Sequence, residues 1–421
     1  MKENQMPRAG AQVEKLIARA EADCAQVFRR IDETEVVNTR KVIAAFQKHR
    51  VSGRHFAPTT GYGYDDIGRD TLGELLADVL GAECALVRPQ IASGTHALAL
   101  CLYGVLRPGD VMLSGAGKPY DTMEEVIGIA GESDCGSLKD FGVSYREVSL
   151  KDGRMDIEGI IAALTPDVKL VLLQRSRGYD WRPSLSVEEL NAAIDAIHAK
   201  QPDTCVMVDN CYGEFTNCEE PHADLMAGSL IKNPGGGIAP TGGYIAGKKR
   251  FVDLVSYRLT SPGIGAEVGS YAGSYQPFYQ GLFQAPHTVA QAVKSAVLAS
   301  RVFELLGFDV NPGYNDPRND IIEAIRFGDD QKLIRFIQAI QFCSPVDAEA
   351  VPEPWAMPGY QDPVIMAAGT FVSGASVELS ADAPVREPYI AYLQGALTYA
   401  HGRIAVAGAV QLLLDEGMIA L

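Results

Sequence analysis

Residues 204–247 read TCVMVDNCYGEFTNCEEPHADLMAGSLIKNPGGGIAPTGGYIAG and hold the most specific pattern in the sequence. The stretch begins with an apolar, β-branched run at residues 205–208, which is typical of a strand buried on both faces of a parallel sheet. Asp209 follows this run directly, so we predict its carboxylate at the sheet edge where open α/β folds bind their ligands. Lys232 comes later, with Ser229 before it and an Asn-Pro-Gly-Gly-Gly run after it.

This order of an acid and a lysine is typical of a pyridoxal phosphate site. The cofactor is held by a lysine amine and needs an acid beside its pyridine nitrogen, so that the protonated ring can act as an electron sink. A Gly/Pro-rich loop lets the backbone approach the cofactor closely, and the Ser229 hydroxyl is predicted to reach the phosphate. Taken singly, Asp209 could be an ordinary strand-end acid and Lys232 a solvated loop lysine. In combination, the residues favour the cofactor site.

Length and composition narrow the class of protein. With 421 residues, 47% of them hydrophobic and 21% charged, the chain is long enough for two or three globular domains. No apolar run reaches the ~18 residues that span a bilayer. The amino terminus also lacks a signal-peptide core, so we predict a cytoplasmic protein without a membrane partner. A net charge of −16 argues against nucleic acid as a partner. The cysteines form no CxxC pair, and we predict no metal site.

The chain alternates between predicted strands and helices. Residues 10–50 have helical spacing of their apolar positions, and the alternation begins near residue 71. The predicted strands lie within residues 84–90, 111–115, 167–176 and 204–210. Strands separated by helices of about a dozen residues indicate βαβ units and a mainly parallel sheet with helices on both faces, hence an α/β fold.

We predict three parts of the chain from this pattern. Residues 1–60 form an amino-terminal helical arm, residues 61–289 the cofactor-binding domain, and residues 290–421 a smaller carboxyl-terminal domain. Within the last part, residues 367–380 have the composition of strands, and residues 389–417 are predicted to form a closing helix.

A phosphate site is predicted where Ser93-Gly94-Thr95 opens a helix. The free N–H groups and partial positive charge of a helix amino terminus suit an anion. Gly94 allows close approach, while Ser93 and Thr95 supply hydroxyls. Ser93 could alternatively be a helix N-cap, and the two roles are compatible.

An aromatic residue is expected to cover the pyridine ring. Tyr120, in the loop after the predicted strand 111–115, is the candidate for this position. The alternative is a partly buried loop tyrosine whose hydroxyl has another partner.

Several arginines are candidates for binding anionic groups, because a guanidinium makes bidentate contacts to phosphate or carboxylate. Arg69 ends the glycine- and tyrosine-rich loop GYGYDDIGR, which is predicted to reach into an anionic pocket. Arg177 follows a predicted strand, and Arg386 lies in the segment PVREPY. The spacing leaves open whether Arg386, Arg177 or Arg403 binds the carboxylate of an amino-acid substrate.

Segments along nearly the whole chain resemble one enzyme family. They are GYGYDDIGRDTL, IASGTHALA, GKPYDTMEEVIG, QRSRGYDWRPSL, VMVDNCYGEF, SLIKNPGGGIAPTGGYIAG, LTSPGIGAEVG and GTFVSGASVELSADAPVREPY. In this order they are similar to the fold type I pyridoxal phosphate enzymes of cysteine and methionine metabolism. Within these, they resemble the group labelled aluminium resistance protein or methionine gamma-lyase family protein.

The resemblance implies a fold, an assembly and roles for residues. The fold is the fold type I transferase fold, with a mainly parallel seven-stranded sheet and a smaller carboxyl-terminal α+β domain. The assembly is a homotetramer built as a dimer of dimers with shared active sites. By similarity, Lys232 holds the cofactor and acts as acid and base, and Asp209 pairs with the pyridine nitrogen. The remaining implied roles are phosphate binding by Gly94, Thr95 and Ser229, ring stacking by Tyr120, substrate binding by Arg386, and contributions from the neighbouring subunit by Arg69 and by Tyr64 or Tyr62.

These observations lead to a functional hypothesis with two alternatives. The first expectation is a carbon–sulfur lyase that eliminates a thiol from an amino acid, with a Lys232 whose pKa is lowered by its enclosed site. Another reaction of the same cofactor, such as transamination, γ-replacement or racemisation, is the closest alternative. The third reading is a non-catalytic metal-tolerance protein, for which Asp65-Asp66 and Glu219-Glu220 are the acidic pairs available.

Overall fold

The computed structural model describes residues 6–357 and 359–421, so the first five residues of the predicted arm lie outside the described part. The helices are α1 (Ala11–Lys48), α2 (Ile67–Leu80), α3 (Gly94–Val105), α4 (Asp121–Ile127), α5 (Ile157–Ala163), α6 (Val187–Lys200), α7 (Lys249–Leu259), α8 (Gln276–Leu305), α9 (Asp330–Phe342) and α10 (Tyr399–Asp415). The strands are β1 (Cys84–Arg88), β2 (Val111–Ser114), β3 (Ser144–Glu147), β4 (Val168–Gln174), β5 (Cys205–Asp209), β6 (Leu225–Ser229), β7 (Gly243–Gly247), β8 (Asp309–Asn311), β9 (Ile322–Arg326), β10 (Val364–Ala367), β11 (Ser380–Pro384) and β12 (Ile390–Gln394).

The larger sheet has seven strands in the order β1-β7-β6-β5-β4-β2-β3. Strand β7 runs antiparallel to β1 and β6, and the other neighbours run parallel. The predicted seven-stranded, mainly parallel sheet is therefore confirmed.

Helices cover both faces of this sheet, as the apolar strands require. Along β5, Val206 and Val208 pack into one core cluster with residues of α2, α6 and α8. Cys205 and Met207 point the other way, into a cluster with α3 and α7. Alternate side chains of one strand thus fill two cores, which explains why its sequence is continuously apolar.

A second sheet of five antiparallel strands, in the order β10-β11-β12-β9-β8, lies in the carboxyl-terminal part. Its apolar face packs on α8, α9, α10 and the start of α1 in one core cluster. On β11, Ala381 and Ala383 belong to this cluster, whereas Asp382 between them faces the other way. The smaller α+β region is therefore confirmed.

Two predicted elements in this region are wrong. The helix predicted for residues 389–417 begins ten residues later, because residues 390–394 form the strand β12 and Thr398 caps α10 by accepting a hydrogen bond from the His401 N–H at 3.3 Å. The strand composition of residues 367–380 is also misleading, since most of this segment forms turns between β10 and β11.

The amino-terminal arm is a single helix of 38 residues, which confirms the helical prediction for residues 10–50. It packs along α8, and α8 itself runs without interruption through residues 289 and 290. The boundaries of the three-part division remain a prediction. No helix among the described residues is long and apolar enough to cross a membrane.

The core of the smaller region allows a stability prediction. Phe336 is fully buried, with its ring centroid 5.4 Å from that of Phe303 and 5.0 Å from that of Phe327. We expect Phe336→Ala to lower the free energy of unfolding by about 3–5 kcal/mol, because it removes buried apolar surface and leaves a cavity. Chemical denaturation monitored by circular dichroism measures the change. The control is Phe371→Ala, since Phe371 is 70% exposed, and an equal loss in both variants would contradict the prediction.

Candidate active site

The candidate site lies at the carboxyl ends of three neighbouring parallel strands. In the register of the sheet, Asp209 at the end of β5 is opposite Gln174 on β4 and Ala227 on β6. The chain continues from β6 into the loop that carries Lys232. Asp209 and Lys232 therefore line the same cavity, which has a volume of about 250 Å³.

Residues from both sheets form the wall of this cavity. Seven of the predicted site residues line it, namely Ser93, Gly94, Thr95, Tyr120, Asp209, Ser229 and Lys232. Lining side chains that were not predicted include Thr122, Tyr179, Tyr212, Tyr360, Ser376, Asp382 and Gln394. Segments distant in the sequence are thus brought together around one lysine.

The amino terminus of α3 forms a cradle with hydroxyl groups around it. Ser93 caps the helix by accepting a hydrogen bond from the His96 N–H at 3.0 Å. The Thr95 Oγ1 atom lies 2.8 Å from the Oγ1 atom of Thr122. A Cβ atom at position 94 would lie 3.3 Å from the Cys211 Sγ, 3.6 Å from the Ser229 Cβ and 4.0 Å from the Lys232 Nζ, so glycine keeps this space open. Free N–H groups, hydroxyls and space together fit a phosphate group.

Lys232 is buried among groups that favour its charged form. Its Nζ atom lies 4.0 Å from the centroid of the Tyr212 ring. Burial lowers the pKa of this amine, but the nearby Cys211, Tyr212 and Asp209 outweigh burial, and the pKa lies above its ordinary value. The expected lowering of the Lys232 pKa is therefore wrong for the chain without cofactor.

The Asp209 carboxylate is held by the backbone that follows it. Its Oδ1 atom accepts a hydrogen bond from the Cys211 N–H at 3.1 Å. Burial raises the pKa of Asp209, while the charge of Lys232 acts in the opposite direction. An acid fixed in this way, facing a cavity, fits the pyridine nitrogen of the predicted cofactor.

The glycines after Lys232 have a different role from the one predicted. A Cβ atom at Gly235 would lie 1.7 Å from the Leu230 carbonyl oxygen, and one at Gly236 would lie 2.4 Å from the Gly281 carbonyl oxygen of α8. These glycines allow the loop to pack on itself and on α8, and they do not line the cavity. Gly94 supplies the close backbone approach to Lys232 instead.

Tyr120 belongs to a group of aromatic side chains on the cavity wall. Its ring centroid is 5.9 Å from that of Tyr179, and its hydroxyl lies 2.7 Å from the hydroxyl of Tyr360. Two roles were predicted for Tyr120, a cover for the pyridine ring and a loop tyrosine whose hydroxyl has a partner. Both are compatible with the structure, because Tyr120 lines the cavity and its hydroxyl has a partner. Stacking on the cofactor ring remains a prediction.

The loop GYGYDDIGR lies outside the cavity of its own chain. Tyr62 and Tyr64 are 70% and 61% exposed, with ring centroids 5.5 Å apart. Arg69 is buried, and it donates hydrogen bonds to the Asp70 carboxylate at 2.7 Å and to the Gly63 carbonyl at 2.8 Å. The tyrosines are thus available to a neighbouring chain, whereas Arg69 holds the loop.

The other candidate arginines are also separated from the cavity. Arg177 is buried, donates a hydrogen bond to the Asn311 carbonyl and lies beside Asp320. Arg386 pairs with Asp362 at 2.7 Å near the surface. The third arginine pairs with two glutamates of α1 through the contacts Arg403–Glu14 and Arg403–Glu21. Among residues 6–357 and 359–421, no arginine lines the cavity.

The acidic pairs considered for metal binding have structural partners. Asp66 caps α2 by accepting a hydrogen bond from the Arg69 N–H at 3.0 Å. Glu220 accepts a hydrogen bond from buried Arg175 at 2.6 Å. The part of the chain that the structure describes contains no group of three or more His, Cys, Asp or Glu side chains arranged to hold a metal ion.

A buried acid, Glu214, contacts the loop that carries Lys232. The Asn233 side chain donates a hydrogen bond to the Glu214 carbonyl at 2.9 Å, and the Tyr244 hydroxyl donates one to the Glu214 carboxylate at 2.7 Å. The second carboxylate oxygen of Glu214 is buried without a partner among the described residues. Burial raises the pKa of Glu214 from 4.5 to about 8.

This carboxyl predicts a pH-dependent effect on stability. A carboxyl with a raised pKa binds its proton more tightly in the folded chain, so it favours folding below the unfolded pKa and loses that effect as the pH rises through about 8. We expect Glu214→Gln to raise the melting temperature relative to the unsubstituted chain by roughly 2 °C more at pH 9 than at pH 5. Calorimetry at both pH values measures this difference. A difference that is the same at pH 5 and pH 9 would show that Glu214 does not titrate in this range.

The chain is similar to known proteins along nearly its whole length. A family model described as methionine gamma-lyase matches residues 13–414. The uncharacterized protein YnbB of Bacillus subtilis is 51% identical over 414 residues, which are 97% of this chain and 98% of that protein. A crystal structure of a carbon-sulfur lyase involved in aluminum resistance from Clostridium novyi is 50% identical, covers 96% of each chain and superposes with a TM-score of 0.92.

A more distant structure shows the fold alone. The pyridoxal-5'-phosphate dependent protein YhfS from Escherichia coli is 16% identical, with a TM-score of 0.58 over 90% of this chain and 96% of that chain. The expected fold type I architecture is therefore confirmed. The match of the family model over nearly all of the sequence shows that the chain belongs to the methionine gamma-lyase family.

Proposed function

We propose that the protein is a pyridoxal phosphate-dependent carbon–sulfur lyase that acts on a sulfur-containing amino acid. The observation that carries this proposal is the convergence of Lys232, Asp209 and the amino terminus of α3 on one cavity. Membership of the methionine gamma-lyase family and the likeness to a carbon-sulfur lyase support it.

The residues of the cavity would each hold a different part of the cofactor. Lys232 would bind it covalently, Asp209 would lie beside the pyridine nitrogen, and Ser93, Gly94, Thr95 and Ser229 would bind the phosphate. When bound, the ring supplies an electron sink for the carbanion formed at the α-carbon of an amino acid. The hydroxyls and N–H groups around Gly94 are already in place, so binding requires little reorganisation there.

Proton transfer is assigned to Lys232. Among the described residues it is the only basic side chain that lines the cavity. In an elimination from an S-substituted cysteine, the α-proton is removed, the bond between Cβ and sulfur breaks, and the sulfur leaves with the electron pair and takes up a proton. With one water molecule the products are a thiol, pyruvate and ammonium, so atoms and charge balance. Lys232 would accept the α-proton as a free amine and return a proton as an ammonium.

We further propose that two chains share each site within a homotetramer. The exposed Tyr64 would reach the cavity of the neighbouring chain and act there as a catalytic residue, with Tyr62 as the alternative. Their exposure on a loop outside their own cavity supports this arrangement, because large aromatic side chains on a surface are typical of contact sites. Arg69 would position this loop through its bond to Gly63.

The cofactor assignment is tested at Lys232. We expect the purified protein with pyridoxal phosphate to show a visible absorbance band, and borohydride reduction to fix the cofactor to the peptide that contains Lys232. In Lys232→Ala the band and the covalent label should be lost, with activity reduced by at least about 10³-fold. Absorbance spectra and peptide mass spectrometry measure both effects.

A matched control variant distinguishes loss of the cofactor site from a general effect of replacing a lysine. Lys249→Ala removes an exposed lysine that pairs with Asp253, and it should retain the band. A protein that binds no pyridoxal phosphate would end the proposal. Formation of an oxo acid that requires an amino acceptor, without release of thiol and ammonium, would instead indicate transamination.

Sharing of the site between chains has its own test. Lys232→Ala and Tyr64→Ala should each be inactive alone, but co-expressed chains should regain about a quarter of the normal activity, since hybrid dimers contain one intact site. Activity of the unseparated mixture measures this recovery, and hybrid dimers isolated with two affinity tags should show about half of the normal activity. The same experiment with Tyr62→Ala decides between the two tyrosines. Hybrids that stay inactive with both tyrosine variants would contradict a shared site.

A further inference from the structure

A buried acid from the smaller sheet lines the cavity and has no place in the chemistry described above. Asp382 lies on β11, on the face opposite to the helix-covered Ala381 and Ala383. It is 9% exposed and lines the same cavity as Lys232. Gln394 on the neighbouring strand β12 lines the cavity as well, on the same face of the sheet.

One oxygen of this carboxylate is used and the other is not. The Gln394 side-chain amide donates a hydrogen bond to Oδ2 of Asp382 at 3.0 Å. The Oδ1 atom is buried and has no hydrogen-bond partner among the described residues. An unpartnered, buried carboxylate oxygen is costly, so it is expected to have a donor in the working state of the protein.

The charge balance around Asp382 indicates what kind of donor is missing. The charged side chains that line the cavity are Asp209, Lys232 and Asp382, in the described part of the chain. Lys232 is the single positive group for two acids, and Asp209 faces the position proposed for the pyridine nitrogen. Burial raises the pKa of Asp382 to about 7, against the hydrogen bonding of the Gln394 amide and the Tyr179 hydroxyl and the charge of Lys232. A second cation next to Asp382 would offset this cost.

From this geometry we infer that Asp382, held by Gln394, binds an ammonium group on the side chain of the substrate. The inference rests on the proposed function and narrows its substrate class. The substrates are sulfur-containing amino acids whose leaving thiol carries a positively charged amine, in preference to simple alkyl thioethers. For a cysteine derivative, the bond between Cβ and sulfur breaks, and the products are an aminothiol, pyruvate and ammonium, with one water consumed.

The test compares two substrates of nearly equal shape. S-(2-aminoethyl)-L-cysteine has an ammonium where S-propyl-L-cysteine has a methyl group. We expect the holoenzyme to favour the aminoethyl compound by roughly 10- to 100-fold in kcat/KM, and Asp382→Asn to remove this preference while retaining activity on the propyl compound. Pyruvate and thiol formation measure the rates.

A binding measurement separates the inference from the proposed lyase activity. L-Lysine and L-2-aminoheptanoic acid contain no sulfur to eliminate, and they differ in the same way at the end of the side chain, an ammonium against a methyl group. Calorimetric titration of the holoprotein should show at least about tenfold tighter binding of lysine, and Asp382→Asn should abolish the difference. If neither cysteine derivative reacts but this binding difference is present, the lyase proposal fails and the inference on Asp382 stands.

A control variant and the cofactor band test whether the effects are specific to Asp382. Asp309→Asn removes an exposed acid of the same sheet, paired with Arg326, and should leave both preferences unchanged. Retention of the visible cofactor band in Asp382→Asn shows that the site is folded. Equal use of the two cysteine derivatives together with equal binding of lysine and 2-aminoheptanoic acid would overturn the inference, as would preferences that persist in Asp382→Asn.

Discussion

The parallel register of β4, β5 and β6 is the constraint on which the candidate site depends. Because these strands run in the same direction, their carboxyl ends meet at one edge of the sheet, and Asp209 lies beside Ala227 as the chain approaches Lys232. The amino terminus of α3 reaches the same edge, where glycine at position 94 leaves room between the helix and the lysine. Apolar cores on both faces fix this register, since a slip by one residue would exchange the side chains of the two cores.

The buried arginines have structural roles, whereas the reactive positive charge belongs to a lysine. Arg175 pairs with Glu220, Arg177 lies beside Asp320, and Arg69 pairs with Asp70. A guanidinium is suited to this work because its fixed fork of donors can bind several oxygens at once. The lysine amine, in contrast, is a compact group on a flexible side chain, and within the described part of the chain Lys232 is the basic residue that lines the cavity.

Local sequence was enough to predict the parts of the site that follow directly from one element. Asp209 ends an apolar strand, and Ser93-Gly94-Thr95 begins a helix. The place of each residue in its strand or helix therefore determines its place in the site. The arginines could not be placed in this way, because Arg177 finds its partners near residues 311 and 320 through long-range packing. Asp382 was missed for a related reason. Its role depends on which face of the antiparallel sheet is covered by helices. Because the segment before β11 forms turns, the alternation of apolar and polar residues along this strand is hard to recognise in the sequence.

Each of the two sheets places an acid near the same lysine. Asp209 comes from the larger sheet and Asp382 from the smaller one, and the charge of Lys232 favours ionisation of both. Asp209 has a backbone N–H donor and faces the position proposed for a protonated ring, so its charge is matched from two sides. Asp382 accepts a hydrogen bond from the Gln394 amide and lies near the Tyr179 hydroxyl, but its Oδ1 atom has no hydrogen-bond partner among the described residues. Asp209 of the larger sheet is thus matched by other groups, whereas Asp382 of the smaller sheet lacks a further positive charge beside it. The side chain of a substrate, which is its variable part, would have to supply that charge.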